Sequence, residues 1–132
     1  MTDWMSKDLK NFDILAVDDD SLILDVLELA CRPFQGRASV HTAPNVHAAI
    51  DMARKQKFDL LCLDHDLEGV QGWELLDYLR PHLPKGVKVL VYSSLVDAAA
   101  LQAYTERGVQ DILKKPLTPA ALGFAVRKAL NI

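Results

Sequence analysis

The chain has 132 residues, half of them hydrophobic and a quarter charged, with a formal net charge of -3. That length holds one compact domain with a real core and excludes two ordinary ones. The mildly acidic balance excludes the basic footprint of a nucleic-acid-binding domain, and no apolar run is long enough to cross a bilayer as a helix. The expectation is a cytoplasmic protein without direct nucleic-acid or membrane contacts. Residues 1–11, "MTDWMSKDLKN", lack the apolar core of a signal peptide. They read as an N-terminal extension, with no role assigned to Trp4, ahead of a domain over residues 12–132. Cys31 and Cys62 each lie in an apolar run and read as reduced core residues.

In chain order, the first strand-like run is "FDILAV" at 12–17, followed by a helical segment at 21–34 with Leu22, Val26 and Ala30 on one face. "RASVHT" at 37–42 leads to a second helix at 46–56, with Asn45 as its N-cap. "DLLCL" at 59–63 leads to a third helix starting near Gly72 and stacking Leu75, Leu76, Leu79 and Leu83. "VKVLVY" at 87–92 precedes a helix over 97–108 that opens on Asp97, and "QDILK" at 110–114 precedes one capped by Thr118 with Pro119 at its first position. The near-continuous apolar runs suit parallel strands covered on both faces. Strand and helix alternate five times with short connections, which predicts an α/β fold: a five-stranded parallel sheet with helices on both faces. In such sheets ligands bind beyond the carboxyl ends of the strands.

Those ends carry the chemistry. Asp18, Asp19 and Asp20 follow the first strand; Asp64 follows the third; Ser93 and Ser94 follow the fourth; Lys114, Lys115 and Pro116 end the fifth. Carboxylates this close do not all ionise comfortably without a cation, and a hard divalent ion such as Mg²⁺ takes a few carboxylates plus waters. Such an ion, a hydroxyl and a lysine around one carboxylate make the set that phosphoryl transfer onto that carboxylate requires. Asp20 reads as a loop or cap residue, Lys114 as solvated and Ser94 as a small neighbour. Asp18–Asp20 alone could also be a solvated turn.

With these residues in order, the chain resembles the response-regulator receiver domains of two-component signalling, single-domain chemotaxis regulators among them. The resemblance runs from about Phe12 to Leu130 and rests on Asp18 and Asp19, on Asp64 in "CLDHDLEGVQGWELL", on Ser93 in "VYSS", and on Lys115–Pro116. The spacings are 46, 29 and 22 residues from Asp18 to Asp64, Asp64 to Ser93 and Ser93 to Lys115. The resemblance implies a flavodoxin-like doubly wound sheet of strand order 2-1-3-4-5. It implies that Asp64 accepts a phosphoryl group from a histidine kinase, a phosphotransfer protein or a small donor. Mg²⁺ or Mn²⁺ would be held by Asp19 directly, by Asp18 mainly through water, by Asp64, and by the backbone carbonyl of Asp66. Ser93 would contact the phosphoryl group, Lys115 would pair with acceptor and phosphate, and the Lys115–Pro116 bond would be cis. A downstream protein would bind the face of the fourth helix, fifth strand and fifth helix, and no catalysis beyond self-phosphorylation and self-dephosphorylation is implied.

The sequence departs from that family at three places. Glu68 stands where a proline is usual, Gln71 replaces the acid before Gly72, and Ile112 occupies the position of the switch aromatic, which leaves Ile112 or Tyr92 to carry any switching. By resemblance the Asp66 side chain and Leu95 tune dephosphorylation, so Asp66→Asn is expected to change the lifetime of the aspartyl phosphate. His65 reads as an exposed loop residue, with a general base as the other reading, and Trp73 as a partly buried anchor. Two other functions stay open: a degenerate receiver that binds a partner without phosphorylation, and an aspartyl-phosphate phosphatase of haloacid-dehalogenase type, whose D-x-D core "DHD" fits.

Overall fold

The computed structural model describes residues 11–34, 36–67, 69–94, 97–109 and 111–132. Trp4, Glu68, Leu95 and Gln110, and all but the last residue of the expected N-terminal extension, lie outside the described residues.

Five strands, β1 (Phe12–Val17), β2 (Ala38–Ala43), β3 (Leu60–Asp64), β4 (Lys88–Ser93) and β5 (Asp111–Lys114), form one parallel sheet in the order β2-β1-β3-β4-β5. The helices are α1 (Ser21–Cys31), α2 (Val46–Lys55), α3 (Gly72–Leu79), α4 (Ala98–Glu106) and α5 (Pro119–Leu130). The architecture and strand order are those expected.

Side chains alternate along each strand, so every strand feeds two cores. Leu15, Val17, Leu61, Leu63 and Val91 pack beneath Ala49 and Ala53 of α2, Leu75, Leu76 and Leu79 of α3, and Ala100 and Tyr104 of α4. Ile14, Ala16, Leu60, Cys62, Leu90 and Tyr92 pack beneath Leu27, Ala30 and Cys31 of α1 and Leu122, Ala125, Val126 and Leu130 of α5. Each fully buried large aliphatic contributes about 1.5–3 kcal/mol of transfer free energy. Both cysteines are buried and unpaired, as expected.

The helices begin where capping chemistry allows. Side-chain oxygens of Asp20, Asn45, Asp97 and Thr118 accept from the backbone N–H of Leu22, Ala48, Ala100 and Ala121 at 2.8–3.1 Å. Each cap of this kind contributes about 1 kcal/mol.

The ends differ from expectation for local reasons. The first helix gives way to a 3₁₀ turn at Arg32–Phe34 and the third to one at Arg80–His82. Pro33 and Pro81 lack the N–H and crowd the preceding turn, so Leu83 lies beyond the third helix. The strands β3 and β4 run one residue further than expected and take in Asp64 and Ser93 themselves. A miniature antiparallel hairpin, Asp66–Leu67 against Val70–Gln71, follows β3. It turns through Gly69 at φ +76°, a left-handed conformation that glycine adopts without strain.

Candidate functional site

The sheet order places the ends of β1, β3, β4 and β5 side by side. Asp18 follows β1 directly, Asp64 closes β3, Ser93 closes β4 and Lys115 follows β5. Asp18, Asp64 and Ser93 are buried, whereas Asp19 is exposed. These carboxyl-edge positions satisfy the switch-point rule for open α/β sheets.

Asp64 sits at the centre. Its Oδ1 accepts from the Lys115 ammonium at 3.1 Å and from the Asp66 amide at 3.0 Å. Asp18 Oδ1 accepts from the Asp20 amide at 2.8 Å, while Asp18 Oδ2 is buried with no hydrogen-bond partner. The Asp18 carboxyl is raised to about 7, chiefly because burial strips its hydration, with repulsion from Asp64 adding to it; the Asp20 amide and Lys115 act in the opposite sense. One carboxylate oxygen each from Asp18, Asp19 and Asp64 lie within 4.8 Å of one another. A buried orphan oxygen in a set of three acids fits a hard divalent cation, which would add positive charge beyond that of Lys115.

Ser93 Oγ donates to Asp66 Oδ2 at 3.0 Å. The second carboxylate of the loop is therefore engaged with the hydroxyl through its side chain, a contact that residue order did not reveal. Tyr92, directly before Ser93, is fully buried with its hydroxyl unpaired, and the Lys115 ammonium lies 5.7 Å from its ring centroid. The Lys115–Pro116 peptide is cis. Asp20 serves as the α1 cap, Lys114 and Ser94 are exposed, and Trp73 is half-buried against the α2–α4 core.

One expectation is overturned. His65 is not an exposed loop residue: it is 7% exposed, and its Nδ1 lies 2.6 Å from the hydroxyl of Tyr104 on α4. Alternation explains the burial, because a residue following Asp64 in an extended chain points to the opposite face of the sheet, into the core beneath α3 and α4. The partner is 39 residues away and carries no local signal in the sequence.

Fold and site together define a flavodoxin-like α/β protein with an acid cluster and a lysine at its switch point. The chain matches the family described as response regulator receiver domain over residues 14–127. It is 30% identical over 115 residues to the sensory transduction protein LytT of Bacillus subtilis, covering 87% of this chain and 46% of that protein. A receiver domain protein of Methanospirillum hungatei JF-1 superposes with a TM-score of 0.81 at 24% identity, covering 92% of this chain and 95% of that one. The chemotaxis response regulator CheY4 of Vibrio cholerae superposes with a TM-score of 0.78 at 24% identity, covering 92% and 100%. These structural likenesses speak for the fold. This chain belongs to the response regulator receiver domain family of two-component signalling. It spans between 35% and 51% of the length of LytT and two further curated relatives. Response regulators act with histidine kinases or phosphotransfer proteins, and no helix among the described residues is long and apolar enough to cross a membrane.

Proposed function

We propose that this protein accepts a phosphoryl group on Asp64 from a histidine kinase, a phosphotransfer protein or a small donor. The observation that carries the reading is the buried Asp64 carboxylate held by the Lys115 ammonium beside Asp18 and Asp19. The hydrogen bonds to Asp64 from the described residues fall on Oδ1, which leaves Oδ2 for the attack on phosphorus. A phosphorus–oxygen bond forms as the donor's bond to phosphorus breaks; a histidine nitrogen keeps the electron pair and takes up a proton. Asp18, Asp19, Asp64 and the Asp66 backbone carbonyl would hold Mg²⁺ or Mn²⁺, which supplies charge neutralisation for the phosphoryl oxygens. Lys115 adds a point charge on the same oxygens, and Ser93 leaves Asp66 to donate to one of them.

Residues 12–132 form the receiver and residues 1–11 an extension, in a cytoplasmic protein. The output is a changed affinity for a partner protein on the face of α4, β5 and α5. The only catalysis is the making and hydrolysis of the protein's own aspartyl phosphate. The Asp64–Asp66 pair lies at the end of β3, the third strand among the described residues, unlike the haloacid-dehalogenase arrangement after a first strand.

A phosphorylation-independent binding module is the second reading. It draws on the Ser93 hydroxyl already engaged by Asp66 and on Ile112, which packs with the α2–α4 core at the switch position. Incubation with Mg²⁺ and acetyl phosphate, followed by intact mass, decides between them. One stoichiometric adduct, absent in Asp64→Asn, is expected; no adduct on the wild type would establish the binding module instead.

A further inference from the structure

Helix α4 is held to the core by two side chains among its nine residues, Ala100 and Tyr104. Alanine offers a methyl group, so the tyrosine is the large side chain that this helix sends into the core, while Arg107 at its C-terminal end pairs with Asp77. Tyr104 is fully buried, and its hydroxyl reaches the chain immediately beyond Asp64. It meets His65 Nδ1 at 2.6 Å, with the two rings edge-to-face at 5.5 Å. The same hydroxyl crowds the point a β-carbon on Gly72 would take, a point that also lies close to His65 Cα and the Asp64 carbonyl oxygen. The phenol therefore packs against Gly72, whose amide donates to the His65 carbonyl. Burial pushes its pKa up, so it stays a neutral hydroxyl.

The turn beneath it is pinned at both ends by bonds that a phosphoryl group would rearrange. The Asp66 amide donates to Asp64 Oδ1, and Ser93 Oγ donates to Asp66 Oδ2. A phosphoryl group on Asp64 competes for both donors. His65 lies between those ends, its N–H donating to the Tyr92 carbonyl and its carbonyl accepting from the Gly72 amide, both at 3.0 Å. Its imidazole is the part free to transmit a shift of the turn. Strand β5 offers only Ile112 in this core, a side chain with no polar group.

We propose that Tyr104 is a positioning residue for the acceptor turn, and that its hydroxyl, through the His65 imidazole, couples loading of Asp64 to the placement of helix α4. The inference rests on the phosphoryl-acceptor reading above. Coupling of this kind is reciprocal: what loading does to α4, a partner gripping α4 does to loading.

The test compares hydrogen exchange of residues 98–106 with and without Mg²⁺ and acetyl phosphate, in wild type and in Tyr104→Phe. That variant keeps the ring and removes the hydroxyl. His65→Phe, which keeps ring volume without the nitrogen, serves as the second variant, so loss of fold in one leaves the other to decide. A purely structural role would loosen α4 equally in both states and leave the difference on loading intact. The expected result is an adduct on Asp64 in every protein, with the loading-induced change at α4 present in wild type and cut severalfold in the variants. An equal change in wild type and a folded variant overturns the coupling, as does a wild type that carries the adduct with no change at α4. A wild type without adduct instead removes the acceptor reading itself, and the inference falls with it.

Discussion

Asp18 shows how one buried carboxyl ties stability to function. Its pKa in the fold is about 7, against an ordinary 3.8, because burial removes water that nothing fully replaces. The fold thus favours the protonated acid. Stability from this group is complete below about pH 3.8 and is lost as pH rises through about 7. Thermal unfolding of the cation-free protein should show wild type losing stability relative to Asp18→Asn across that window, since the amide does not ionise. Parallel profiles for the two proteins would show that Asp18 is ionised throughout and already paired. A cation must displace the proton, so Mg²⁺ affinity should rise over the same window.

Helix α3 begins on Gly72 because the Tyr104 hydroxyl leaves no room for a methyl group there. Alanine is the better helix former by about 1 kcal/mol. Gly72→Ala should nevertheless destabilise by about 1–3 kcal/mol, because the crowded hydroxyl belongs to a fully buried ring and the other neighbours are backbone atoms. In Gly72→Ala/Tyr104→Phe the obstructing oxygen is gone, and urea denaturation should find the pair less costly than the sum of the single changes. Strict additivity would mean that the two groups do not meet. This contact also marks where sequence reading stops. The five strands, the five helices and the caps Asn45, Asp97 and Thr118 were legible because apolar runs and capping residues are local signals, and an acid, hydroxyl or lysine at four of the five strand ends made the Asp18, Asp64, Ser93 and Lys115 set visible. The two-residue strands beside Gly69 are too short to carry a period. The burial of His65 is decided by a tyrosine 39 residues on, and the Ser93–Asp66 bond by a rotamer, neither of which residue order encodes.

The fold as an assembly creates the acid cluster, since 46 residues separate Asp18 from Asp64 in the chain and only the β1–β3 pairing brings them together. An unfolded chain of net charge -3 offers a divalent ion no such site. A cation that binds the folded state alone stabilises it by mass action, about 2.7 kcal/mol at a hundredfold excess over the dissociation constant. For a domain of this size that is a rise in Tm on the order of 10 °C. Screening of the modest net charge by salt acts too, so the comparison holds ionic strength constant with a monovalent salt. Asp19 separates the two effects. It is exposed, so Asp19→Asn should leave the cation-free Tm almost unchanged while removing much of the rise with Mg²⁺. A Tm indifferent to Mg²⁺, or an undiminished rise in Asp19→Asn, would mean that the three carboxylates do not act as one site.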